Sequence, residues 1–151
     1  LLQNDIIIWQ HPFYWYSCPA LLKEWMDLVL EYGFAYGQDG TALRGKQLLS
    51  AITTDGSRAA YQRDGHNRFT IGQFLAPIEQ TATLCGMRYL PPFVAHNMRQ
   101  RPADEDVSEY AALYHAALVG LRDHTLSLEG LGRGAYLNDA LTDPPQEDPH
   151  A

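Results

Sequence analysis

Cysteine is scarce in this chain of 151 residues, which holds only Cys18 and Cys85. They form no CxxC pair, so neither a disulfide framework nor a structural zinc site is indicated, and two reduced thiols of a cytosolic protein are the simpler reading. Positive charge is scarce too. Eleven Lys and Arg stand against 18 Asp and Glu, for a net charge of −7. That balance argues against nucleic acid, whose phosphates need a basic footprint, and against a polybasic membrane anchor. No apolar run approaches the ~18 residues of a membrane span, and the first residues lack a basic start and a small-residue cleavage site. The chain opens Leu1-Leu2, without Met, and enters a strand pattern almost at once, as if joined midway. Its length suits one domain with a real core.

What is present alternates in type. Asp5 to Gln10 reads as a fully buried strand, a short Ile-rich run. Pro19 to Glu31 reads as a helix, with Leu22, Trp25 and Val29 at helical spacing, Leu21 and Leu28 beside them, and Gly33 as its stop. Gly37 to Gly45 is a polar loop and Lys46 to Ile52 a second strand. Arg58 to Arg68 is a polar connection. Thr70 to Cys85 is helical but interrupted at Pro77. Tyr89 to Ala95 is a third strand that Pro91-Pro92 makes irregular. Asp104 to Thr125 is the last helix, with an acidic first turn and a stripe of Val107, Tyr110, Tyr114, Leu118 and Leu121. The segment after it, 127–151, is expected to be a flexible acidic, Pro-rich tail beyond a domain of residues 1–126.

Strands alternating with helices imply a parallel sheet covered on both faces. Right-handed crossovers put all the strands' carboxyl ends on one edge, where ligands bind in such sheets. Two loops belong there: His11 to Tyr16 and Thr53 to Ser57. The first carries four aromatics in a row and main-chain N–H groups over Phe13 to Tyr16; the second carries two hydroxyls and a glycine. Two readings stay open on these residues alone. The rings pack against the next helix, or they wall a planar aromatic cofactor. His66, among polar neighbours, is equally a surface residue, and His11 has no second ligand at metal spacing.

Longer stretches bear on the choice. "QHPFYWYSCPALLKEWMDLVLEYGFAYG", "GTALRGKQLLSAITTDGS" and "AYQRDGHNRF" resemble the flavodoxin-like NAD(P)H:quinone oxidoreductases, and among them the ancillary flavoprotein subunits of bacterial glutathione-gated potassium efflux systems. The resemblance runs from about Asp5 to Leu121. It implies a three-layer α/β/α domain of which three strands and three helices remain. It implies FMN, with FAD as the alternative, NAD(P)H as hydride donor and a quinone as acceptor. By position it assigns Pro12, Phe13, Tyr14, Trp15 and Tyr16 to the flavin ring and Thr53, Thr54, Asp55 and Gly56 to its pyrimidine end. It also gives Tyr61 and His66 catalytic roles. It further implies a homodimer meeting through Tyr32 to Tyr36 and Arg58 to Arg68, docking to a membrane potassium/proton antiporter, and a cytoplasmic place on the inner face of the membrane.

Two departures shape these expectations. Asp55 stands where many relatives have a glycine, and a carboxylate against reduced flavin is worth about 1–4 kcal/mol of repulsion unless it faces solvent. The family's opening strand, phosphate-binding turn, helix and second strand, roughly 50 residues, has no counterpart, so β pairing on one side of the Asp5–Gln10 strand and the phosphate anchor are expected to be absent. The chain alone is therefore expected to bind flavin weakly or not at all. An enzyme, a purely regulatory flavin- or nucleotide-sensing subunit and an inactive fragment are the three readings carried forward.

Overall fold

The computed structural model describes residues 1–99, 107–128 and 135–142. Its centre is a wholly parallel sheet. Strand β1 (Ile6–Pro12) pairs with β2 (Gln47–Thr53) from Ile6↔Gln47 to Pro12↔Thr53. On the far side of β2 lie β3 (Arg88–Tyr89), paired Leu48↔Tyr89, and β4 (Phe93–Ala95), paired Thr53↔Ala95. The expected third strand is thus one strand in two pieces. Its break is Leu90-Pro91-Pro92, where proline offers no N–H to the ladder. Leu90 N–H still donates to Leu48 O at 2.8 Å and keeps the halves in line.

The strands' period of two sorts side chains into two cores. Ile7 and Trp9 of β1 and Leu48 and Ile52 of β2 face one layer, while Leu49 and Ala51 face the other, against which Ile6 and Ile8 pack. Over the first layer lie α1 (Ala20–Val29), α2 (Ile71–Phe74) and α3 (Ala76–Leu84); over the second lies α4 (Ser108–Arg122). Helix α1 is shorter than expected. Pro19 is its cap, and it is anchored by Trp25 set edge-on to Trp9 at 6.0 Å, with Leu21 and Leu28 left exposed. The interruption expected at Pro77 is a stop and restart. Thr70 and Gln73 close a reciprocal capping box on α2, and α3 begins with Pro77 in its first turn, where a missing N–H costs nothing. Helix α4 buries Ala117 and Leu121, with Tyr110, Leu113 and Tyr114 packed beside them; Val107 stays exposed. The acidic start expected at Asp104–Asp106 lies outside the described residues.

The tail expectation needs correction. Leu126 and Leu128 pack on the second core, Leu137 is fully buried in it, and Tyr136 is buried in the first. Residues 135–142, ending in the short α5 (Asp139–Thr142), therefore wrap the sheet edge. Asn138 imitates a strand there. Its Oδ1 accepts from Val94 N–H at 2.9 Å and its Nδ2 donates to Val94 O at 3.2 Å. Leu137 N–H donates to Pro92 O at 2.9 Å. The Gly- and Asp-rich composition hid this, because two buried residues between polar ones give no periodicity. Residues 129–134 and 143–151 lie outside the described residues.

Leu137→Ala tests the correction. A buried leucine truncated to alanine loses about 2–5 kcal/mol of stability, whereas in an unpacked tail the change would be near zero; urea unfolding separates the two.

Candidate functional site

Because Pro12, Thr53 and Ala95 stand side by side in register, the three strands end level and their following loops meet. Between the loops opens a cleft of about 860 Å³. Pro12, Phe13, Tyr14, Trp15, Tyr16, Thr53, Asp55, Gly56, Tyr61 and His66 all line it. Of the residues nominated from sequence only Thr54 does not; it is buried behind the wall. Ser57, Ala60, Asn67, Asn97 and Arg99 complete the lining. Asn97 and Arg99 were missed in the sequence. They follow the third strand, so the rule that exposed the first two loops reaches them as well.

The aromatic run is a tight turn. Ser17 N–H donates to Tyr14 O at 2.9 Å, and both central residues have positive φ, Trp15 at 47° and Tyr16 at 60°. That sign pattern belongs to a type I′ turn, which prefers Asn-Gly. Placing two bulky aromatics there costs of order 1–2 kcal/mol per residue. The arrangement leaves Trp15 93% exposed at the cleft mouth. Tyr14 is also exposed, while Phe13 and Tyr16 pack on the Phe74 ring of α2. Tyr16 stacks on Phe74 of α2 at 5.1 Å, and Phe13 sits edge-on to Tyr61 and Phe74 at 5.9 and 5.7 Å. Tyr16 Oη also reaches Asn67 Oδ1 at 3.5 Å.

The main-chain donors are fewer than the sequence suggested. Phe13 N–H is committed to Thr53 O at 2.9 Å and Tyr14 N–H to Pro12 O at 3.0 Å. Trp15 and Tyr16, and across the cleft Asp55, have N–H groups without a main-chain partner among the described residues, while Gly56 N–H faces the Tyr61 phenol. A ligand with acceptors on a flat edge would satisfy them.

The polar connection is more ordered than its composition implied. Arg58–Tyr61 forms a 3₁₀ turn, with Ser57 Oγ accepting from Ala60 N–H, and it buries Tyr61. Burial pushes the Tyr61 phenol up, with Thr54 and the Gly56 main chain offsetting part of the shift, so the group stays a neutral donor. His66 is exposed on the rim. Gly65 before it must lack a side chain, since a Cβ would lie 2.3 Å from Ala59 O. Asp55 is 69% exposed, with Arg99 Nη1 at 3.9 Å, so its carboxylate faces solvent and a cation.

Behind the cleft, Arg58 donates to Asp139 through Nη1 and Nη2 at 2.5 and 2.8 Å while lying over the Tyr136 ring at 4.4 Å. The paired guanidinium holds the Asp139 carboxyl below its usual range.

A family model described as a flavodoxin-like fold matches residues 1–118. The chain is 48% identical over 104 residues to the glutathione-regulated potassium-efflux system ancillary protein KefG of Pectobacterium atrosepticum, covering 69% of this chain and 57% of that protein. It is similar to an NADPH-quinone reductase from P. pentosaceus (TM-score 0.66, 40% identity, 74% of this chain and 66% of that one). It is also similar to the general stress protein 14 of Treponema denticola in complex with FMN (TM-score 0.72, 39% identity, 79% and 67%). The chain spans 53–62% of the length of the curated relatives it matches.

Two outcomes follow from the site. Trp15→Gly relieves the positive φ and raises stability by about 1 kcal/mol in urea unfolding, while removing the cleft's most exposed ring. For Asp139 the folded carboxyl is the stronger acid, so its contribution is present above the ordinary Asp value near 4 and is lost as pH falls through the lowered folded value. With Arg58 half exposed the contribution is under about 1 kcal/mol. The stability gap between wild type and Asp139→Asn therefore closes as pH drops below ~4, read by thermal unfolding across pH.

Proposed function

This chain belongs to the flavodoxin-like fold family, and from that membership we propose that it forms part of a flavin-dependent NAD(P)H:quinone oxidoreductase acting as an ancillary subunit of a glutathione-gated potassium efflux antiporter. The observation that carries the reading is the cleft itself: three strand ends in register, with aromatic walls and N–H groups on two facing loops that have no main-chain partner among the described residues. The FMN of the Treponema relative and the names of the quinone-reductase and efflux-system relatives support it.

FMN, held there, would accept hydride from NAD(P)H and pass an electron pair to a quinone. The residues of this chain supply the surroundings. The N–H groups of Trp15 and Tyr16 on one loop and of Asp55 on the other would hold the ring. Phe13, Tyr14, Trp15 and Tyr16 would wall it. Tyr61 would offer a neutral phenol beside the ring and His66 would stand on the rim, in the catalytic roles the family gives them. Arg99 offsets the Asp55 carboxylate.

A homodimer meeting through Tyr32 to Tyr36 and Arg58 to Arg68 is part of the reading, and the exposed Tyr32, with Leu21 and Leu28 of α1, suits it. Among the described residues no helix is long and apolar enough to cross a membrane, and the reading places the protein in the cytoplasm, against the inner membrane through the antiporter. A purely regulatory subunit is the second reading, favoured by the word ancillary in the efflux-system relatives' names.

The test joins this chain to the amino-terminal segment of a full-length relative. Yellow protein that oxidises NAD(P)H only with added quinone is expected. Yellow protein that raises potassium efflux on co-expression without appreciable turnover supports the regulator, and colourless protein without oxidation rejects both.

A further inference from the structure

His96 follows β4 and is 5% exposed, set between the rings of Tyr61 at 5.9 Å and Tyr136 at 5.5 Å. It does not line the cleft. Its Nδ1 lies 3.0 Å from Thr54 Oγ1 and 3.1 Å from Gly56 O, both in the turn that forms the cleft's second wall. A carbonyl can only accept, and the Thr54 hydroxyl already donates to that same Gly56 O at 2.9 Å. Because Gly56 O can only accept, its contact with Nδ1 is a hydrogen bond only when Nδ1 carries the proton, and Thr54 Oγ1 then accepts as well. Nε2, buried and without a partner among the described residues, is then a bare lone pair.

We propose that His96 is a positioning residue of the cleft: its Nδ1–H, shared between Thr54 Oγ1 and Gly56 O, fixes the Thr54–Gly56 turn and with it the wall that Asp55 and Gly56 present to the ligand. This deepens the flavin reading and rests on it only for the identity of the ligand. The bond works with a main-chain lattice. Thr54 N–H donates to Ala95 O at 2.8 Å, Met98 N–H to Thr54 O at 3.0 Å and Asn97 N–H to Gly56 O at 3.3 Å. Asn97, at φ 61°, reverses the chain so that the last two can form. Burial foremost, and Arg58 nearby, keep the imidazole neutral, so the arrangement holds across the neutral range.

Much of the support behind His96 comes from outside the segment matched by the family model. Tyr136 backs the ring, Arg58 covers Tyr136, Asp139 holds Arg58, and Asn138 ties the same segment to Val94, two residues before His96. Residues 135–142 thus brace the cleft from the far side of the sheet edge.

The experiment uses the 151-residue chain. Long-range proton–nitrogen NMR near neutral pH reads the His96 tautomer, and amide exchange at Asn97 and Met98 reads the turn. The expected result is an Nδ1–H tautomer, with exchange at both amides about tenfold faster in His96→Leu and restored to within about threefold by His96→Asn, whose Nδ2–H can stand in for Nδ1–H. An Nε2–H tautomer, or His96→Asn behaving like His96→Leu, overturns the proposal. Should His96→Leu fail to fold, Thr54→Val takes its place and the tautomer still decides. FMN titration of the same substitutions, made in the chain joined to the amino-terminal segment of a full-length relative and read by flavin fluorescence, is expected to follow the order wild type, His96→Asn, His96→Leu. Absence of FMN binding by that joined wild-type protein counts against the flavin reading, while tautomer and exchange decide the role of His96.

Discussion

Everything at this site depends on one register. Pro12, Thr53 and Ala95 pair across three parallel strands, so the strands stop level and three loops leave the sheet at one height. A shift of one residue in any pair would turn every side chain of that strand to the opposite face. Trp9 would then lose Trp25, and Leu48 and Ile52 would trade places with Leu49 and Ala51. The two packed cores thus hold the register, and the register holds the cleft.

The sheet's two edges are treated differently. At the β4 edge, prolines remove donors, Pro92 O and Val94 take partners from Leu137 and Asn138, and buried Tyr136 and Leu137 seal the flanks. At the β1 edge no described strand follows, although Ile6, Ile8 and Trp9 border open apolar hollows on both faces. Trp9 Nε1 and His11 Nε2 are buried there without partners among the described residues. Unpaired groups at an apolar edge are tolerated poorly, which sets β1 apart from the finished β4 edge.

The layers, the parallel direction and the first two loops were legible because each rests on a strong local signal: Ile-rich runs, a helical stripe, and turn residues after strands. Boundaries shifted where proline extended a strand or capped a helix, as at Pro12 and Pro19. Thr54 was nominated for the cleft but lies behind it, because a threonine in a turn can serve either the ligand or the turn, and composition does not say which. His96 and Tyr136 were invisible for a related reason. His96 ends the buried run of β4 and reads as more of the core, Tyr136 has only Leu137 buried beside it, and the partners of the His96 ring lie 35 or more positions away.

The strained turn and the braced turn make a pair. Trp15 and Tyr16 hold positive φ where glycine would rest more easily, and the opposite wall holds its shape through a buried histidine. A fold that only needed to connect β1 to α1 would relax the first by choosing Asn-Gly, and one that only needed to leave β2 would not sequester an imidazole to do so. Both walls depart from the cheapest backbone in the same place, and among the described residues each leaves N–H groups without a main-chain partner on its own side of one cleft. Local strain that persists does so because surrounding packing over-determines it; here Phe74 and Tyr61 supply that packing for the first wall and Tyr136 for the second. The convergence of two separately maintained walls on a shared set of unsatisfied donors argues for a flat, acceptor-edged ligand more strongly than the aromatic residues do alone.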